Sequence, residues 1–154
     1  MIAEKIIRLL ADREFVHVAT SDLNNCPNVA PKFFLKAEND FIYLVDHVIS
    51  LTWENLKANP RVAISVLDMD TLTGYQIKGS VQIIDKGTEY NKILNEQQEK
   101  EISLTIERII EGIHQKKRHR DFEVAFPEKV AIFKVKIEEV MEIGSRGKLT
   151  REKL

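Results

Sequence analysis

The sequence predicts a mainly β protein with flanking helices, organised as a small antiparallel barrel with the helices packed outside. Three observations carry this. About six runs rich in β-branched and aromatic residues recur at short spacing. Three helix-period stretches accompany them but do not alternate with the strands, which argues against a doubly wound parallel sheet. The chain is 154 residues long, 44% hydrophobic and 31% charged, which suits a single domain (1–154) with its own core.

Ile2, Ile6, Leu9 and Leu10 fall at helical spacing with Glu4, Lys5 and Arg8 between them, predicting an amphipathic helix over 2–12. Phe15 to Thr20 reads as a first strand. Ser21-Asp22-Leu23-Asn24-Asn25 is turn chemistry, which places Cys26 just after a hairpin tip. Asn28 to Lys36 is a second strand, Asn39-Asp40 a turn and Phe41 to Val45 a third strand. The period then changes. Ser50 is a candidate N-cap, and Leu51, Leu56 and Ala58 can form the inner face of a helix over 50–58. Asn59-Pro60 ends it, because a residue before proline disfavours the α region. Arg61 to Leu67 is a fourth strand and Asp68 to Thr73 a loop. Tyr75 to Ile84 is a long fifth strand whose interior Gly79 marks a bulge or a close backbone approach. Residues 88–121 form a charged helical insert, one long helix or two broken near Gln97-Gln98. Val130 to Ile137 is a sixth strand that Val140 to Ile143 can extend, and the polar tail from Gly144 is expected to be loose.

Charge and composition exclude several function classes. The formal net charge is -1, so there is no global attraction to nucleic acid or to an anionic membrane, and little repulsion between copies. No stretch approaches the roughly 18 apolar residues of a membrane span. One cysteine makes neither an internal disulfide nor a multi-cysteine metal site, and the cytoplasm is the expected location. The six glycines, at 74, 79, 87, 112, 144 and 147, are too scattered for a dinucleotide or phosphate loop, and there is no zinc-protease motif.

Single residues are weighed against bland alternatives. His17 reads as a satisfied, semi-buried strand histidine. His114 and His119 read as solvent-facing. The basic run Lys116 to Arg120 suits a solvated helix end better than a nucleic-acid patch. Cys26 has no activating neighbour in sequence. The strand–loop–helix unit from Tyr43 to Pro60 is the most informative. A helix that starts at Ser50-Leu51-Thr52 offers unpaired amides and two hydroxyls to a phosphate, with Lys32 as a cation if its strand runs alongside. Simple capping by Ser50 is the equal alternative. His47 stands beside this helix start.

The order of residues resembles the FMN-binding split-barrel family, the pyridoxamine 5′-phosphate oxidase-like proteins. The pieces are Phe15-Val16-His17-Val18-Ala19-Thr20, Pro27-Asn28-Val29-Ala30-Pro31-Lys32, Phe41-Ile42-Tyr43-Leu44-Val45, Ser50-Leu51-Thr52-Trp53-Glu54-Asn55-Leu56, Asn59-Pro60-Arg61-Val62 and Gly74-Tyr75-Gln76-Ile77-Lys78-Gly79. The resemblance implies a six-stranded antiparallel split barrel, a homodimer and bound FMN. It implies that Ala30, Pro31 and Lys32 line the ribityl and phosphate, that Leu44, Val45 and Asp46 lie against the isoalloxazine ring, and that Ser50, Leu51 and Thr52 receive the phosphate. Many relatives carry Lys or Arg at or beside the position of Leu51, so here the phosphate would depend on Lys32, the amides and the hydroxyls.

A flavin brings its own hydride and electron chemistry, so the lack of an acid–base or nucleophile constellation fits an FMN-dependent oxidoreductase of a small-molecule substrate. The alternative is a non-enzymatic carrier or binder of flavin or haem.

Overall fold

The computed structural model describes residues 4–47, 50–115, 130–144 and 147–154. The elements run α1 (Glu4–Ala11), β1 (Phe15–Ser21), β2 (Pro27–Glu38), β3 (Phe41–Asp46), α2 (Leu51–Ala58), β4 (Arg61–Asp68), β5 (Thr73–Ile84), α3 (Thr88–His114), β6 (Ala131–Ile143) and β7 (Leu149–Lys153). The first residues of the expected N-terminal helix and the basic run 116–120 lie outside the described residues.

Every pairing is antiparallel. The order is β3-β2-β1-β4-β5-β6-β7, and a further β3–β6 ladder closes the first six strands into a barrel. Closure leaves these strands without a free edge. Val16, Val18, Phe34, Ile42, Leu44, Ile64, Ile77, Phe133 and Val135 fill the interior, and Ile6 and Leu10 of α1 join the same core. The opposite side chains of β2 and β3, namely Phe33, Leu35, Tyr43 and Val45, form a second cluster with Ile93 of α3. Both faces of this stretch are thus buried, which explains its near-continuous apolar sequence.

The turns follow their chemistry. Asp22 Oδ1 accepts from the amides of Asn24 and Cys26, both at 2.8 Å, and Asn25 takes φ 63° at the first hairpin. Asn39 takes φ 55° at the second. Gly79 sits where the β5–β6 register shifts, and a Cβ there would overlap the Lys136 carbonyl oxygen. The expected bulge and the expected close approach are both present.

Several expectations need correction. His17 is exposed, because it falls on the outward phase of β1. Leu51 and Ala58 are also exposed; Thr52, Asn55 and Leu56 form the inner face of α2. The insert is one unbroken 27-residue helix as far as His114. β6 is continuous from 131 to 143, and the tail adds a seventh strand on its second half. The side chains of β7 are all exposed, so no burial pattern in the sequence announces it.

Candidate cofactor-binding site

The β1–β2 ladder pairs Val16 with Lys32, and the β2–β3 ladder ends with Phe33 opposite Val45. One step further along the same register, Lys32 stands across from Asp46. Cross-strand partners share a face, so Lys32 points with Val16 toward the inside of the barrel. It is only 4% exposed. A buried ammonium is tolerable only with a partner. Its Nζ lies 2.7 Å from Asp46 Oδ2, and Ser50 joins them by donating to Asp46 Oδ2 at 2.8 Å and accepting from Lys32 Nζ at 3.3 Å.

Ser50 occupies the N-cap position of α2 in extended backbone, yet makes no side-chain cap. Its hydroxyl is turned onto the ion pair instead, so no side chain competes at the positive end of the helix. α2 is anchored from below. Asn28 Nδ2 donates to Thr52 Oγ1 at 3.2 Å, Asn55 Nδ2 to Thr20 Oγ1 at 3.1 Å, and Asn59 Nδ2 to Ser21 Oγ at 3.2 Å. Thr20 also lines an open groove of about 280 Å³ with Ala19, Ser21, Ala63, Gly79 and two cationic side chains, Arg61 and Lys78.

α3 holds the other flank. Glu101 pairs with His47 Nε2, and the buried Gln97 places Nε2 3.4 Å from the same ring nitrogen. The hydrogen bond that His47 donates to Glu101 raises the His47 pKa, with burial opposing it and Asp46 adding a smaller attraction. Phe33 meets the imidazole edge-to-face at 6.0 Å. Lys100 donates to the carbonyls of Phe34 and Leu35 at 2.6 and 2.9 Å, where the β2–β3 register shifts. Burial lowers its pKa, and the charge of Glu14 partly offsets this.

The structure therefore gathers Lys32, Asp46, Ser50 and Thr52 at one end of the barrel. Ala30 is half-buried and Pro31 exposed on successive positions of β2. The side chains of Leu44 and Val45 are fully buried, one in the barrel core and one in the cluster under α3. Leu51 is 54% exposed at the helix start. Sequence reasoning missed the Asp46–Lys32 pairing, the Asn55 and Asn28 anchors and the grip of Glu101 on His47. Asn55 and Asn59 were visible in the Asn-x-x-x-Asn-Pro passage, whereas Glu101 is 54 residues from His47 and left no local signal.

An FMN phosphate fits this donor set in kind: a buried ammonium, a hydroxyl and the uncapped helix start, with no cation at position 51. Lys32 and Ser50 would hold it. Among the described residues there is no cluster of three or more His, Cys, Asp or Glu arranged to hold a metal ion, and no helix is long and apolar enough to cross a membrane.

Known proteins share the sequence pattern and the fold. Residues 2–143 match the family profile described as pyridoxamine 5′-phosphate oxidase. The uncharacterized protein MJ0282 of Methanocaldococcus jannaschii is 31% identical over 98 residues, 62% of this chain and 64% of that one, so the match spans just under two thirds of the relative. A pyridoxamine 5′-phosphate oxidase-related, FMN-binding protein of Nostoc punctiforme superposes with a TM-score of 0.60 at 13% identity, covering 100% of this chain and 98% of that one. A heme-binding protein of Mycobacterium smegmatis also gives 0.60, at 12% identity, covering 97% of this chain and 57% of that one. At these identities the structural likenesses establish the fold alone, which is the split barrel.

Proposed function

The chain belongs to the pyridoxamine 5′-phosphate oxidase family, and from that premise we propose that it is an FMN-binding flavoprotein acting as an oxidoreductase on a small molecule. The observation that carries the reading is the buried Lys32 beside Ser50 at a helix start whose amides no side chain caps. A buried cation at the positive end of a helix is a place for an anionic group, which here shares Lys32 with Asp46 or displaces it. Bound FMN supplies the hydride and electron transfer itself. The chain's part is to hold and orient it. Lys32 and Ser50 take the phosphate, the Asn28–Thr52 and Asn55–Thr20 bonds fix α2 over them, and α3 holds His47.

Flavin is favoured over haem by the state of His47, the histidine beside the helix start among the described residues. His47 has its Nε2 engaged by Glu101, which leaves that nitrogen committed rather than aimed at an iron. A homodimer, which the family resemblance implies, is part of the proposal.

The test is spectroscopic. Purified protein mixed with FMN should acquire the absorbance of bound flavin and bleach on addition of a nicotinamide donor. A yellow sample that no donor bleaches would favour the carrier reading. A colourless sample that takes up no FMN would overturn the assignment.

A further inference from the structure

The ion pair beside the helix start carries no spare positive charge. Lys32 and Asp46 are both buried, and the carboxylate matches the ammonium at 2.7 Å. An ammonium has three N–H donors; two of those on Lys32 face Asp46 and Ser50, which leaves one for a phosphate oxygen. Such an oxygen hangs on the same nitrogen as Asp46 Oδ2. The two anions are then neighbours in a setting with little water to screen them. Among the described residues, the neighbouring elements do not restore the balance. Across the strands stand Ala131 of β6, opposite Asp46, and Val16 of β1, opposite Lys32. From α2 come the hydroxyls of Ser50 and Thr52, and the Ser50 hydroxyl already donates to Asp46. His47 is balanced by Glu101 of α3 when protonated and leaves that carboxylate uncompensated when neutral. Lys100 of α3 is turned onto the carbonyls of Phe34 and Leu35. The exposed Leu51 supplies no second cation.

We propose that the site takes a phosphate in its singly charged form, with one proton drawn from solvent on binding and held between the phosphate and Asp46. The inference rests on the flavin reading and adds to it the charge state that the site selects. A phosphomonoester loses its second proton near pH 6, so free FMN carries a charge of about -2 at pH 8. Lys32 is a single cation, and Asp46 already engages it. The helix start offsets roughly half a charge, too little for a dianion. Two acids crowded on one cation do not both stay ionised. One proton between them turns their repulsion into a short, charge-assisted O–H···O bond. That proton belongs to the pair of acids rather than to either one.

Calorimetric titration of FMN into the full chain, in two buffers of different ionisation enthalpy, counts the protons. At about pH 8 the wild-type chain should take up about one proton per FMN, and its affinity should fall about tenfold per pH unit above about pH 7. Riboflavin, which lacks the phosphate, should bring no proton. Asp46→Asn should abolish the uptake and make FMN affinity nearly flat over the same range. His47 is the other neighbour able to accept a proton, and Glu101→Gln releases it from its partner. That variant should keep the wild-type uptake. FMN binding to the wild-type chain without proton uptake overturns the inference and leaves the flavin reading in place, and this count decides even where Asp46→Asn does not fold. Equal uptake with riboflavin or in folded Asp46→Asn, or loss of uptake in Glu101→Gln, overturns it as well. A chain that binds no FMN at any pH overturns both.

Discussion

At Lys32 a ligand phosphate and the protein's own carboxylate compete for one cation. Asp46 holds the ammonium at 2.7 Å in a nearly water-free setting, so a phosphate must share or displace it. Replacing Asp46 by Asn removes the competitor. FMN should then bind about fivefold tighter, the equivalent of roughly 1 kcal/mol, while riboflavin, which lacks the phosphate, should not change. Lys32→Ala should weaken FMN by about 1.5–3 kcal/mol, again sparing riboflavin, and should lower the melting point of the cofactor-free protein by stranding Asp46. Titrations with both ligands decide the matter, and equal changes for the two would remove Lys32 from the phosphate site. At Leu51, exposure excludes a core role for the side chain. Leu51→Lys should therefore leave the melting temperature alone. It should tighten FMN by up to about fivefold at low salt, with the gain fading as ionic strength rises.

Two contacts join elements that are distant in the sequence. Through Glu101, α3 grips His47, the residue that follows β3, and that bond raises the His47 pKa. A raised histidine pKa means that protonation favours the folded state. The stabilisation is complete below the ordinary value of about 6.5 and is lost as pH rises through the higher folded value. The melting temperature of the cofactor-free protein should fall across that window, and Glu101→Gln should flatten the fall. A Glu101→Gln profile parallel to wild type would separate His47 from the effect. β5 and β6 approach closely at Gly79, where an added methyl meets a backbone carbonyl that cannot rotate away. Gly79→Ala should cost at least about 3 kcal/mol, a drop of about 6–12 °C in melting temperature for a chain of this size. A change of less than about 2 °C would mean that the two strands separate easily there.

For the molecule as a whole, stability resides in the closed barrel. β6 is the seam: residues 131–136 pair with β3 on one side while residues from 132 to 143 pair with β5 on the other, and only its last part carries β7. β7 buries no side chain. Deleting residues 145–154 should therefore lower the melting temperature by no more than about 4 °C, the effect of about 1 kcal/mol. Loss of the cooperative transition on deletion would show that the seventh strand completes the barrel.

Strand and helix types were legible in the sequence wherever burial imposed a period. β1 and β4 alternate in and out, Asn59-Pro60 stops α2, and the turn residues at 22–25 and 39–40 adopt the backbone their side chains favour. The ordered series from Phe15 to Gly79 was enough for the family and its fold. Elements without a burial pattern were not legible, as β7 demonstrates. Nor were contacts between distant residues. Position 32 read as a lone cation because its partner, Asp46, comes beside it only when β2 and β3 align. Glu101 is drawn to His47 only when α3 lies across the barrel. The two-faced character of α3, where Ile93 packs against the barrel and Ile106 is exposed, was hidden for a related reason. Its isoleucines share one apolar chemistry, and only the barrel's position decides which face of the helix is used and which is left outward.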